Sequence, residues 1–115
     1  MCDYSVEDTR HNGLNDYKVI TLCGSTKFKN EFMRIQKELT LKGNIVISVG
    51  CFNHAGDVVT DEQKTMLNDI HKRKIDMADE IFVINVDGYI GSSTKSEIEY
   101  AKAHNKKVNY LVHYN

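Results

Sequence analysis

The 115 residues are 41% hydrophobic and 27% charged, enough to close one core and too few for a second domain. A formal net charge of -1 creates no long-range field, which argues against nucleic acid, an anionic membrane or a strongly charged protein as partner, so any phosphate must be held by local groups. Cys2, Cys23 and Cys51 are odd in number and lack CxxC spacing, so they read as the reduced thiols of a cytoplasmic protein with no metal site and no cofactor; no leader or bilayer-length apolar run points to secretion or a membrane.

Residues 1–16 are polar, contain Asn12-Gly13 and Asn15-Asp16, and read as a loose tail or interface arm ahead of a single domain over 17–115. Lys18 to Cys23 is a short apolar strand. Phe28, Phe32, Ile35 and Leu39 then recur at helical spacing up to Gly43, and Ile45 to Val49 is a second strand. Asn53 and His54 fall in the following loop, a place where binding residues collect, although loop polarity explains them equally. Thr60 with Gln63 forms a capping box that opens a helix, with Leu67, Ile70, Lys74 and Met77 on its buried face and an end near Ala78. Glu80 to Val86 is nearly continuous in apolar residues, as a central strand covered on both faces should be. A glycine-rich turn leads to a helix over Thr94 to His104 and a last strand over Lys107 to Val112, while Met33, Met66 and Met77 read as core filler.

Strictly alternating strands and helices require parallel pairing with right-handed crossovers. The expected fold is therefore α/β: a doubly wound, Rossmann-like parallel sheet of four to five strands, order 2-1-3-4, with helices on both faces. Such sheets bind ligands where the strand order reverses, between the carboxyl ends of the first and third strands.

Two turns reach that crevice. Gly24-Ser25-Thr26-Lys27 follows a strand and precedes a helix, so backbone N–H groups and the helix dipole suit an anion there, while capping by Ser25 or Thr26 is the alternative. Gly88, Gly91, Ser92, Ser93 and Thr94 supply close backbone approach and hydroxyls ahead of Glu97. In a first helical turn the Glu97 pKa should fall, which suits a nucleophile rather than a general acid; equally, Thr94-Lys95-Ser96-Glu97 is itself a capping box.

Leu22-Cys23-Gly24-Ser25, paired with the later Ser93-Thr94-Lys95-Ser96-Glu97-Ile98-Glu99-Tyr100-Ala101, resembles the nucleoside 2-deoxyribosyltransferase superfamily, including its deoxynucleoside 5′-phosphate N-hydrolase branch. The similarity covers roughly Tyr17 to Val112. It implies that Glu97 is the nucleophile that attacks the sugar anomeric carbon, and that a phosphate sits on Gly24, Ser25, Gly91 and Ser93, with Ser92 beside them. Lys27 stands where those hydrolases resemble an Arg. Thr21 occupies the place of an orienting Tyr, and the place of a helix Asp falls on His71, with Asp69 two residues earlier; which of these two points into the crevice is open at this level. His71 would protonate a leaving base or serve as a packing histidine.

The resemblance thus implies cleavage or transfer of the N-glycosidic bond of a nucleoside or nucleoside 5′-monophosphate, by a homodimer or larger assembly that needs no metal or organic cofactor. Tyr110-Leu111-Val112-His113-Tyr114 offers apolar surface for the partner. The rival reading is a non-catalytic nucleotide-binding module with the same fold.

Overall fold

The computed structural model describes residues 17–52 and 56–113; the 1–16 segment, Asn53, His54 and Tyr114 lie outside the described residues. Among those described, strands and helices alternate as β1 (Val19–Gly24), α1 (Lys29–Leu41), β2 (Ile45–Ile47), α2 (Asp61–Asp76), β3 (Glu80–Ile84), α3 (Ser92–Ala103) and β4 (Lys107–Tyr110). The sheet is parallel throughout, in the order β2-β1-β3-β4, as the alternation predicts. β2 and β3 flank β1 on opposite sides, so right-handed crossovers put α1 on one face and α2 with α3 on the other.

Strand alternation divides the core accordingly. Ile20 and Leu22 of β1 and Ile84 of β3 pack with Phe32 and Ile35 of α1. Cys23, Ile81 and Val83 face the other way, onto Ile75 of α2 and Ile98 and Ala101 of α3. The two central strands are buried on both faces, which is why they read as continuous apolar runs.

The capping box at the start of α2 is formed as expected: the Thr60 hydroxyl accepts from the Gln63 N–H, and the Gln63 side-chain Oε1 accepts from the Thr60 N–H. The buried face of that helix differs from expectation. His71 and Ile75 are buried, Leu67 and Lys74 are half-buried, and Ile70 and Met77 are exposed. The stripe that meets the sheet runs at i, i+4 through Leu67, His71 and Ile75, because polar groups on β1 and α3 receive the imidazole. Lys74 is drawn partly inside by its own bonds, with Nζ donating to the Ser48 carbonyl at 2.8 Å and its carbonyl accepting from the Thr21 hydroxyl at 2.9 Å. Met33, Met66 and Met77 are all exposed, so none is core filler: the sheet is covered by β-branched, Leu and Phe side chains instead.

Two strand ends also shift. β2 stops at Ile47, where the Ser48 carbonyl turns to Lys74 instead of a strand. β3 stops at Ile84 because the fully buried Asn85 uses its side-chain amide to bond both the N–H and the C=O of Val112, each at 2.9 Å. A short 3-10 turn, Val86–Gly88, follows, with Asp87 at φ 54° and Gly88 at φ 82°. The Leu111 N–H donates to the Val83 carbonyl, so Tyr110 and Leu111 are half-buried against the core, while Val112, exposed, is the apolar surface among the described residues at the C-terminal end. No helix among the described residues is long and apolar enough to cross a membrane.

Candidate functional site

At the carboxyl edge of the sheet a cleft of about 450 Å³ opens between the ends of β1, β2 and β3. Gly24, Ser25 and Thr26 form one wall, the first turn of α3 with Glu97 forms another, and α2 closes the third with Asn68, His71 and Lys64. The topology accounts for the location, since β1 and β3 are the strands between which the winding reverses.

Gly24 permits the close approach of β1 to β3. A Cβ there would lie 2.8 Å from the Ile84 carbonyl oxygen, so no other residue fits without moving the strand. The turn after it is not a helix cap, because α1 is capped at Phe28 with no side-chain hydrogen bond. The Ser25 hydroxyl instead accepts from the Lys27 N–H at 3.4 Å and remains on the cleft wall. Lys27 sits beside the mouth, its Nζ 3.8 Å from the centre of the Tyr89 ring, whose face attracts the cation.

α3 starts at Ser92, two residues before the expected start, with Gly91 at the N-cap and no side-chain cap. Thr94 is buried inside the first turn and Glu97 lies in the second, so the Thr94–Glu97 capping box does not form. The first turn has no side-chain cap, and its residues Ser92 and Ser93 lie on the cleft wall.

The Glu97 carboxyl is turned inward, with 15% of its side chain exposed, toward Cys23 of β1 and His71 of α2. Cys23 Sγ lies 3.3 Å from His71 Nε2, and His71 Nε2 lies 3.6 Å from Glu97 Oε1. Burial sets the protonation of all three. It pushes the Glu97 pKa up to about 7, against the opposing pull of a hydrogen bond from Cys23 and the charge of Lys72. This reverses the expected depression: from the second turn, loss of water outweighs the helix dipole. Burial, with a smaller contribution from Lys74, lowers the His71 pKa to about 4. The pair is therefore no salt bridge at neutral pH, because the imidazole is uncharged there. Burial first, and Glu97 second, raise the Cys23 pKa well above its usual value. Cys23 is thus a thiol that donates to the carboxylate and is no activated nucleophile.

Of the two helix candidates, His71 faces the cleft. Asp69 lies two residues, more than half a turn, away from it, with its side chain 75% exposed and 3.9 Å from Arg73. Asp69 is therefore a surface residue and does not line the cleft. Gly24, Ser25, Gly91, Ser92, Ser93, His71 and Glu97 line one cleft. Tyr100 of the Glu-Ile-x-Tyr-Ala segment turns away from it and ties α3 to α2, donating to Asp76 at 2.7 Å and accepting from Arg73 at 3.1 Å.

Cys23, Tyr89, Asn68 and Lys64 belong to the site or its walls and were not singled out from the sequence. For Cys23 a signal existed: strand alternation places it on the opposite face from Leu22, hence toward α2 and α3. Lys64 and Asn68 share the helix face of His71 and Ile75, seven residues ahead of each, but as polar residues on the first turns of α2 they do not stand out from an ordinary solvated helix start. No protein-family model and no curated protein matches this chain.

Proposed function

We propose that this protein cleaves the N-glycosidic bond of a nucleoside 5′-monophosphate, with Glu97 as the nucleophile. The observation that carries the reading is a buried carboxylate on the wall of a ligand-sized cleft, facing hydroxyl-bearing turns at the switch point of a parallel sheet. The cleft volume of about 450 Å³ falls within the range of small-molecule sites, roughly 300–1,000 Å³.

The phosphate would rest on the uncapped start of α3 and the Ser25 and Ser93 hydroxyls, with Lys64 supplying charge. Ionised Glu97 attacks C1′, the C1′–N bond breaks, and its electron pair leaves with the base, which takes a proton from solvent. Water then attacks C1′ of the glycosyl ester and restores the carboxylate, so two displacements give net retention. Acceptance of a second base in place of water would make the same site a transferase. Neutral at physiological pH, His71 is not the imidazolium donor expected from sequence; its Nε2 instead positions Cys23 and Glu97, and the proton of that water passes to solvent. The Cys23 thiol takes over the orienting hydrogen bond that a phenol supplies in the family this chain resembles.

The proposed setting is the cytoplasm, where the free thiols Cys23 and Cys51 stay reduced. The proposed assembly is a homodimer or larger, joined along Met66, Ile70 and Met77, which lie exposed along one side of α2. A monomer in sedimentation at micromolar concentration would remove that part of the proposal.

The test of the activity is release of free base from a panel of nucleosides and monophosphates, with Glu97→Gln in parallel. Base release lost by several orders of magnitude in the variant, with monophosphate affinity retained, is the expected result. Monophosphate binding without base release from any substrate would make the protein a nucleotide-binding module.

A further inference from the structure

Cys23, His71 and Glu97 come from three different elements, β1, α2 and α3, and converge on one point. Each offers one donor atom, and the three donor atoms lie within 4.8 Å of one another. In a tetrahedral zinc site, with metal–sulfur near 2.3 Å and metal–nitrogen or metal–oxygen near 2.0–2.1 Å, ligand atoms stand roughly 3.3–3.6 Å apart. The observed separations are 3.3 Å from sulfur to nitrogen and 3.6 Å from nitrogen to oxygen. These two separations match the tetrahedral values, and the sulfur and carboxylate oxygen lie within 4.8 Å of each other, so a rotation of the Glu97 side chain closes the set around a cation.

We propose that Cys23, His71 and Glu97 form a three-ligand site for one zinc-class divalent cation, whose fourth position opens into the cleft. The donor set selects the metal. A thiolate and an imidazole favour zinc, cobalt or copper and disfavour magnesium and calcium, which take oxygen ligands. The placement selects the kind of site: Cys23 is fully buried and His71 is 7% exposed, so both are held by core packing, while Glu97 reaches the cleft through which an ion would arrive. Binding releases the Cys23 thiol proton to solvent and engages the Glu97 carboxylate.

A carboxylate engaged by the ion cannot attack C1′. Metal occupancy and glycosidic cleavage therefore exclude each other, and zinc acts as a reversible inhibitor; this consequence rests on the function proposed above, whereas the metal site does not.

The experiment is a titration of the full chain, freed of metal by a chelator that is then removed, with Co²⁺ as probe under reducing conditions. One equivalent should give the visible bands of tetrahedral Co²⁺ with a thiolate charge-transfer band in the near ultraviolet. Zn²⁺ should displace it at one equivalent, and millimolar Mg²⁺ or Ca²⁺ should not. Cys23→Ser should abolish the charge-transfer band, and His71→Gln should weaken binding roughly tenfold or more. Circular dichroism establishes that each variant is folded. No Co²⁺ binding by the unsubstituted protein overturns the proposal, as does an unchanged charge-transfer band in folded Cys23→Ser. Base release that is present without metal and unaffected by a bound equivalent of Zn²⁺ overturns the inhibition. Co²⁺ bound with these signatures and no base release under any condition leaves the metal site standing and removes the glycosidase.

Discussion

His71 Nε2 lies 3.6 Å from Glu97 Oε1, and burial moves the two pKa values in opposite directions, to about 4 and about 7. Each shift makes folding stability depend on pH, and the two dependences have opposite signs.

The folded pKa of Glu97 is raised from 4.5, so the folded state holds a proton that the unfolded chain has released, and stability falls as pH rises from about 4.5 through about 7. The folded pKa of His71 is lowered from 6.5, so the unfolded chain binds the extra proton, and stability rises from about pH 4 to 6.5. Each is worth up to about 3 kcal/mol. In metal-free protein the pair should therefore add almost no slope between about pH 4.5 and 6.5. Urea unfolding of Glu97→Gln should expose the rising limb and leave the variant more stable than its parent at pH 8. Unfolding of His71→Gln should expose the falling limb. Parallel pH profiles for both variants would refute the opposed shifts.

Turnover that needs ionised Glu97 should rise with pH through about 7 and level above it, measured as kcat/KM for base release with a chelator present. The groups facing the carboxyl are Cys23, His71 and Lys72. Lys72 favours the ionised form, so Lys72→Met should move the midpoint to higher pH. A midpoint near 4.5 would mean that water reaches Glu97 freely.

Ser93→Ala removes one hydroxyl from the proposed phosphate seat and leaves the backbone of α3 in place, since the helix has no side-chain cap to lose. Affinity for a nucleoside monophosphate should drop by about tenfold, a loss of about 1–2 kcal/mol, with affinity for the nucleoside unchanged. Equal losses for both ligands, read by calorimetry, would move the phosphate elsewhere.

Gly24→Ala places a methyl group 2.8 Å from the Ile84 carbonyl oxygen, a backbone atom that can yield only if β1 and β3 separate. The expected cost is about 1–3 kcal/mol in denaturant unfolding. Gly43→Ala adds a methyl group that meets nothing within 4 Å, at a φ of +95°. Its cost is confined to backbone strain at one exposed helix end, about 1 kcal/mol. A cheaper Gly24 substitution would show that the strand junction is softer than its packing implies.

Periodicity along the chain was sufficient to determine the alternation of strands and helices, and alternation made the sheet parallel; the order expected of a doubly wound sheet, β2-β1-β3-β4, and with it the edge at which a cleft forms, is the one the structure shows. The Thr60–Gln63 capping box was equally legible, because its donors and acceptors lie within three residues. The same local reading offered, as one of two alternatives, a second capping box at Thr94 and Glu97 that does not form, since two earlier serines join the helix and carry Glu97 into the second turn. Only the tertiary structure decided between Asp69 and His71, brought Cys23 beside His71 across 48 residues, and turned the expected depression of the Glu97 pKa into a rise. The physical reason is that a helical or strand repeat is a property of neighbouring residues, whereas the charge state of a buried group depends on how much water three distant segments exclude when they pack together.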